Sequence, residues 1–159
     1  IHLQTKYNMM GLKQQIESDI KKAMLERRKG DLTALRAVKS MILLAETEKG
    51  SEGPLNEEAE LKLLMKAVKQ RKDSAQIYKD QGRDDLLETE LNEVAVIEKY
   101  LPQQLSEEEI KAELSKIIQQ VGATGPQDMG KVMGMASKAM SGKADGKTIS
   151  GLVKQLLTS

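Results

Sequence analysis

The sequence predicts an all-α protein made of two helical units, about four helices and then three. Three observations carry that expectation. Apolar residues recur at i, i+3, i+4 and i+7 along most of the chain, the stripe of amphipathic helices. Runs of β-branched residues with period two are absent. Pro54, Pro102 and Pro126 each fall between periodic segments, where helix breakers belong, and between Pro54 and Val121 the one glycine is Gly82.

The segments can be justified in order. Residues 1–9 lack periodicity and read as an unstructured leader or an expression remnant. The first helix places Leu12, Ile16, Ile20 and Ala23 on one face and is expected to end near Gly30. The second is expected to start at Asp31, a good N-cap, with Leu35, Val38, Ile42 and Ala45 inward. Gly50-Ser-Glu-Gly-Pro54 makes a loop. The third helix runs from an Asn56 cap to about Lys79, with Leu61, Leu64, Val68, Ala75 and Tyr78 inward, and Gly82 closes it. Asp84 is the expected cap of the fourth, which turns Leu87, Leu91, Val94, Ile97 and Leu101 inward and stops at Pro102.

The next start is the clearest local signal. Ser106 at N-cap with Glu109 at N3 forms a capping box, and Leu105 with Ile110 forms a hydrophobic staple. Helix five then buries Ile110, Leu114, Ile117 and Val121 and ends at Gly122. Helix six spans roughly 126–140, with Met129, Val132, Met133, Ala136 and Met140 inward. Helix seven follows an Asp145 cap and buries Ile149, Leu152, Val153 and Leu156. The expected organisation is an N-terminal helical domain over 10–101, a linker at 102–104 and a three-helix domain over 105–159.

Composition removes much chemistry. Zero cysteine excludes disulfides, thiolate nucleophiles, Fe–S clusters and cysteine-based zinc sites. The single histidine, His2, lies in the leader, so the commonest general base and metal ligand is missing from the body. No nucleophile–base pair, nucleophile elbow or amidase loop can be assembled, so no catalytic residue and no cofactor is assigned. Aromatic residues make up 2% of the chain, which leaves little on which bases could stack. No apolar run approaches a signal peptide or the ~18 residues of a membrane span, and a cytoplasmic, non-membrane protein is expected.

The net charge of +1 is an average over unlike parts. Residues 1–104 hold 18 basic and 18 acidic side chains, whereas residues 115–159 hold six lysines against Asp128 and Asp145. Within that basic end, Gly130-Lys-Val-Met-Gly134 sets two glycines one turn apart in a helix, each costing about 1 kcal/mol relative to Ala. Close approach of another helix would compensate. So would approach of a nucleic-acid backbone to the glycine face, with Lys131 and Lys138 alongside. Gly142-Lys-Ala-Asp-Gly146-Lys147 is either a helix-cap turn or, with Lys143 and Lys147, a phosphate site at a helix N-terminus. Met129, Met133, Met135 and Met140 fill an aromatic-free core or form a partner surface.

Elsewhere Arg71 shares the apolar stripe of Leu64, Val68 and Ala75, and should be ion-paired there, with Glu90 or Glu98 as partner, or else meet a ligand anion. Asp84-Asp85 and Glu107-Glu-Glu109 stand in first helical turns, where acids meet the positive end of the helix dipole, so no metal site is assigned to them.

With these residues in view, the chain resembles the YqeY family, small bacterial and organellar proteins related to the tail of the GatB amidotransferase subunit. The resemblance spans residues 10–159. It rests on Leu35-Arg36, Lys69-Gln-Arg-Lys-Asp-Ser74, Gly82-Arg83, Asp85-Leu86, Glu90-Leu91, Tyr100-Leu-Pro102, Gln104-Leu-Ser106, Asp128-Met-Gly-Lys-Val-Met-Gly134 and Gly142-Lys-Ala-Asp-Gly146, in that order. It implies an all-helical two-domain fold whose second domain is similar to the GatB tail, a module that contacts tRNA in the glutamyl/aspartyl-tRNA amidotransferase. The implied role is a non-catalytic tRNA- or RNA-binding accessory. An alternative is participation in carbon–nitrogen ligase activity with glutamine as amido-N-donor, beside an amidotransferase or translation-related protein. A protein-interaction adaptor using the methionine surface is the third expectation.

Overall fold

A computed structural model describes residues 11–48 and 53–158. The expected leader and most of the first loop lie outside the described residues. Among the described residues there are seven α-helices, one short 3₁₀ turn and no strand, so the all-α class holds. None of these helices is long and apolar enough to cross a membrane. The chain divides into two compact units between Leu101 and Pro102.

The first unit contains α1 (Leu12–Leu25), α2 (Lys29–Thr47), α3 (Glu57–Asp80) and α4 (Asp84–Glu98). Helix α1 pairs with α2, α3 pairs with α4, and α2 packs against both members of the second pair. Ile16, Val38, Ile42, Leu64, Val68, Val94 and Ile97 make the main core, and Ala23, Ala34, Leu35 and Val96 a smaller one. Ile20 and Tyr100 touch both. The Tyr100 hydroxyl donates to the Asp19 carboxylate, tying the chain after α4 to α1.

Two expected helix starts are corrected. Helix α1 ends at Leu25 instead of near Gly30, and α2 begins at Lys29 with Arg28 in the cap position. The Arg28 N–H reaches back to the Ala23 carbonyl at 2.9 Å, and Arg27 takes the left-handed conformation at φ 56°. That closure turns the chain into α2 at once, and the Asp31 carboxylate binds the Arg28 guanidinium rather than a backbone N–H. The same turn recurs between α3 and α4, with Gly82 at φ 69° and the Arg83 N–H on the Tyr78 carbonyl at 2.9 Å. Arg83 therefore takes the cap position, and Asp84 is the first helical residue. At α3 the Asn56 side chain does cap, accepting from Ala59 N–H at 2.8 Å.

Helix α4 is also rotated from expectation. Leu91 is half exposed, whereas Val96 is buried. Because α4 packs against both α2 and α3, its buried sector widens toward Glu93 and Val96 and away from Leu91.

The second unit contains α5 (Glu107–Val121), a 3₁₀ turn (Pro126–Asp128), α6 (Met129–Ala139) and α7 (Gly146–Thr158) around one core. Leu114, Val132, Ala136, Met140, Ile149 and Val153 lie at its centre. The capping box of α5 is complete: the Glu109 N–H donates to Ser106 Oγ at 3.2 Å, and the Ser106 N–H donates to Glu109 Oε1 at 2.9 Å. Those bonds hold the Glu109 carboxyl below its ordinary range. Gln104, within the expected linker, donates to the Gly142 carbonyl at 2.6 Å, and the Leu105 N–H donates to the Lys143 carbonyl at 2.9 Å.

Candidate nucleic-acid interface

Helix α6 presents two contrasting sides. Val132 and Ala136 are buried in the core, and Met129 and Met133 pack against it. At about 100° per residue, Gly130, Gly134 and Lys138 fall on the opposite side, with Lys131 beside them, and all four are exposed. A Cβ built at Gly130 or Gly134 meets nothing within 4 Å. Among the described residues no neighbouring helix approaches these glycines, which counts against the packing explanation for them. Among the described residues no contact offsets their cost in helix stability.

Helix α7 repeats the pattern. Lys147, Gly151 and Lys154 stand at i, i+4 and i+7, all exposed, and a Cβ at Gly151 also meets open space. The sequence shows Lys154 only as one of the six lysines of the basic end; its spacing to Lys147 and Gly151 is the signal that puts all three on one side of α7.

The turn between the two helices is held as a cap. Gly142 is buried at φ 74°, and its carbonyl is taken by Gln104. The Asp145 carboxylate accepts from the Lys147 N–H at 3.4 Å. A carboxylate therefore already occupies the N-terminal end of α7, where a phosphate would otherwise meet free N–H groups, and a second anion there would be repelled. The structure favours the cap over the backbone phosphate site. Lys143 and Lys147 remain exposed on either side of the turn.

Lys131, Lys138, Lys143, Lys147 and Lys154 have no ion-pair partner among the described residues, whereas the ion pairs of the second unit are confined to α5, Lys111 with Glu107 and Lys116 with Glu113. The interface is thus a set of unpaired ammonium groups standing beside small residues. It can offer charge and close backbone approach. Among the described residues no three His, Cys, Asp or Glu side chains gather to hold a metal ion.

Of Met129, Met133, Met135 and Met140, most face the core. Met140 is fully buried, Met129 and Met133 pack against the core, and Met135 is the exposed one.

Arg71 lies outside this region. Its side chain is 14% exposed, and Nε donates to Glu93 Oε2 at 2.9 Å while Nη1 donates to the Ala67 carbonyl at 3.0 Å. The partner is Glu93, where Glu90 or Glu98 was expected, because the rotation of α4 brings Glu93 to the α3 interface. Glu98 pairs with Lys72 at 3.8 Å. Burial and the neighbouring Glu93 push the Glu90 carboxyl up, and Arg71 pulls the other way.

Comparison with known proteins gives this arrangement a context. The chain is 38% identical over 111 residues to "Altered inheritance of mitochondria protein 41, mitochondrial" of Clavispora lusitaniae, covering 68% of this chain and 63% of that one. The protein of the same name from Kluyveromyces lactis is 32% identical over 142 residues, covering 87% of this chain and 72% of that one. The chain thus spans about two thirds of the length of the curated relatives it matches. A profile described as Yqey-like protein matches residues 13–157, and with that coverage the chain belongs to the YqeY-like family.

Proposed function

We propose that this protein is a non-catalytic RNA-binding accessory, with tRNA as the first ligand to test. One observation carries the reading: exposed glycines and unpaired lysines share the outer sides of α6 and α7, and no contact among the described residues accounts for either. A glycine surface lets a phosphate backbone lie close to the helix, and lysines at its edge neutralise phosphates and release counterions. The resemblance of 105–159 to a tRNA-contacting tail supports the same choice. With so few aromatic side chains, recognition would run through backbone and shape rather than base stacking.

Such a role places the protein where tRNA is found, in the cytoplasm or in the mitochondrion that the names of its yeast relatives specify for them.

Filter binding of total tRNA at two salt concentrations tests the reading. Wild type is expected to bind with affinity falling steeply with salt. Lys143→Glu/Lys147→Glu is expected to weaken binding and to reduce the log–log salt slope by about 0.7 to 0.9 per lost contact. Identical binding by both proteins overturns the proposal. Release of ammonia from glutamine, or stable association with a glutaminase, would favour the amide-transfer reading instead.

A further inference from the structure

The first unit carries two unusual surfaces that sit side by side. One is the tip of the α1–α2 hairpin. Leu25 is 85% exposed and Met24 53%, on a helix end surrounded by cations. Lys21, Lys22, Arg27 and Lys29 are exposed and have no ion-pair partner among the described residues, while Arg28 is engaged by Glu26 and Asp31. Single exposed leucines are ordinary. Two adjacent large apolar side chains inside a basic cluster make a surface of definite character. Arg27 adds to it, since it stands in a left-handed position where the equivalent turn has Gly82.

The other surface is a groove of about 770 Å³ between the start of α2 and α4. Leu87 and Leu91 give it apolar lining, and Asp84, Asp85 and Glu88 make its rim acidic. Asp84 and Glu88 have no ion-pair partner among the described residues. Gly30 forms one end, and a Cβ there would come within 2.7 Å of Asn92 Nδ2, so glycine lets α2 close that end.

Tip and groove are complementary in both respects, apolar with apolar and basic with acidic. The tip does not fill the groove of its own chain, because Leu25 and Leu91 both stay exposed. The groove is lined from Gly30 onward, in the first turn of α2, and the tip ends at Lys29, so the two surfaces adjoin along the chain. We propose that they bind a second copy of the chain, each Met24–Leu25 tip seated in the Leu87–Leu91 groove of the other. A two-fold axis makes the contact reciprocal, so every residue in it counts twice. The proposal concerns the first unit and is independent of the RNA reading of the second.

Sedimentation equilibrium of the full chain, freed of nucleic acid and run across protein concentrations at low and high salt, tests it. Wild type is expected to shift from one chain to two as concentration rises, less so at high salt, where the charges are screened. Leu25→Asp should raise the dissociation constant about 30-fold or more, as loss of a hot spot does. Its thermal melt should match wild type at concentrations where wild type is a single chain, because the side chain is exposed there. Lys29→Glu and Glu88→Lys should each weaken the dimer alone, and an equimolar mixture should restore it, since each altered tip then meets an oppositely charged groove.

A one-chain mass at every concentration overturns the proposal, as does a dimer that neither single variant weakens. Single variants that fail to rescue each other overturn the reciprocal geometry. A wild-type monomer whose Leu25→Asp variant alone loses binding to anionic phosphatidylserine vesicles would give the tip a lipid partner instead.

Discussion

The two helical units handle charge in opposite ways. In the first, acids and bases balance, and many of the bases are matched: Lys13 with Glu46, Lys39 with Glu17, Lys72 with Glu98, and Arg71 with Glu93 inside the interface. In the second, the lysines beyond α5 stand unmatched among the described residues, and a Cβ at Gly130, Gly134 or Gly151 would meet open space. Paired charge between helices is part of how the first unit holds together. Unpaired charge on an outer surface contributes little to folding. Substitutions should therefore have opposite consequences in the two units.

The largest effect is expected at Arg71. Arg71→Met leaves Glu93 facing an apolar interface with Glu90 beside it. Breaking a mostly buried pair from one side should cost about 3 kcal/mol in denaturant unfolding. The loss should depend on pH with a definite sign. Glu90 already titrates above its ordinary value, and without Arg71 that shift grows. A carboxyl whose folded pKa is raised favours the fold while protonated and opposes it once ionised. The variant should therefore recover stability as pH falls through the raised titration of Glu90 and lose it as pH rises through it. A pH-independent loss would mean that Arg71 acts through packing alone.

The partner of Arg71 illustrates what could be read from residues alone and what could not. The stripe carrying Arg71 is visible because a 3.6-residue period needs no knowledge of neighbours. Which face of α4 meets it is different: Leu87, Leu91, Val94, Val96 and Ile97 cover more than one stripe, and only packing against both α2 and α3 selects Val96 over Leu91. Asp31 and Asp84 are good caps by residue type, yet tight backbone closures before them move the cap positions to Arg28 and Arg83. Ser106 was legible because its bonds are all local. For the candidate interface, the lysines and the α6 glycines were legible from charge and spacing. That the glycines lack a packing partner was not, because it depends on where the other helices lie.

The α6 glycines supply the next test, with the sign reversed. Gly130→Ala/Gly134→Ala adds two methyl groups to open space and removes two sources of backbone entropy from a helix. Stability should rise by up to about 2 kcal/mol for the pair. If the face exists for a ligand, tRNA affinity should fall although every lysine remains. A gain in stability with unchanged binding would separate the glycines from the lysines and leave the interface purely electrostatic.

The smallest effect concerns how the units start their helices. In the first, α2 and α4 begin behind Arg28 and Arg83 with no side-chain cap, whereas α5 in the second opens with a full capping box. Ser106→Ala should cost about 1 kcal/mol, as loss of an N-cap does. The pH dependence locates the other half of the box. Bonds from the Ser106 backbone, then from its side chain, hold Glu109 below its ordinary 4.5. A carboxyl with a lowered folded pKa contributes stability above its unfolded value and loses it as pH falls through the folded value. Wild type should therefore weaken at α5 as pH drops below about 4.5. Glu109→Gln should lack that acid-dependent part, since its amide still accepts from the Ser106 N–H but carries no charge to titrate. Amide exchange at the first turn of α5, followed from neutral pH into acid, distinguishes the two. If both proteins open equally with acid, the Glu109 charge plays no part and the box is held by Ser106 alone.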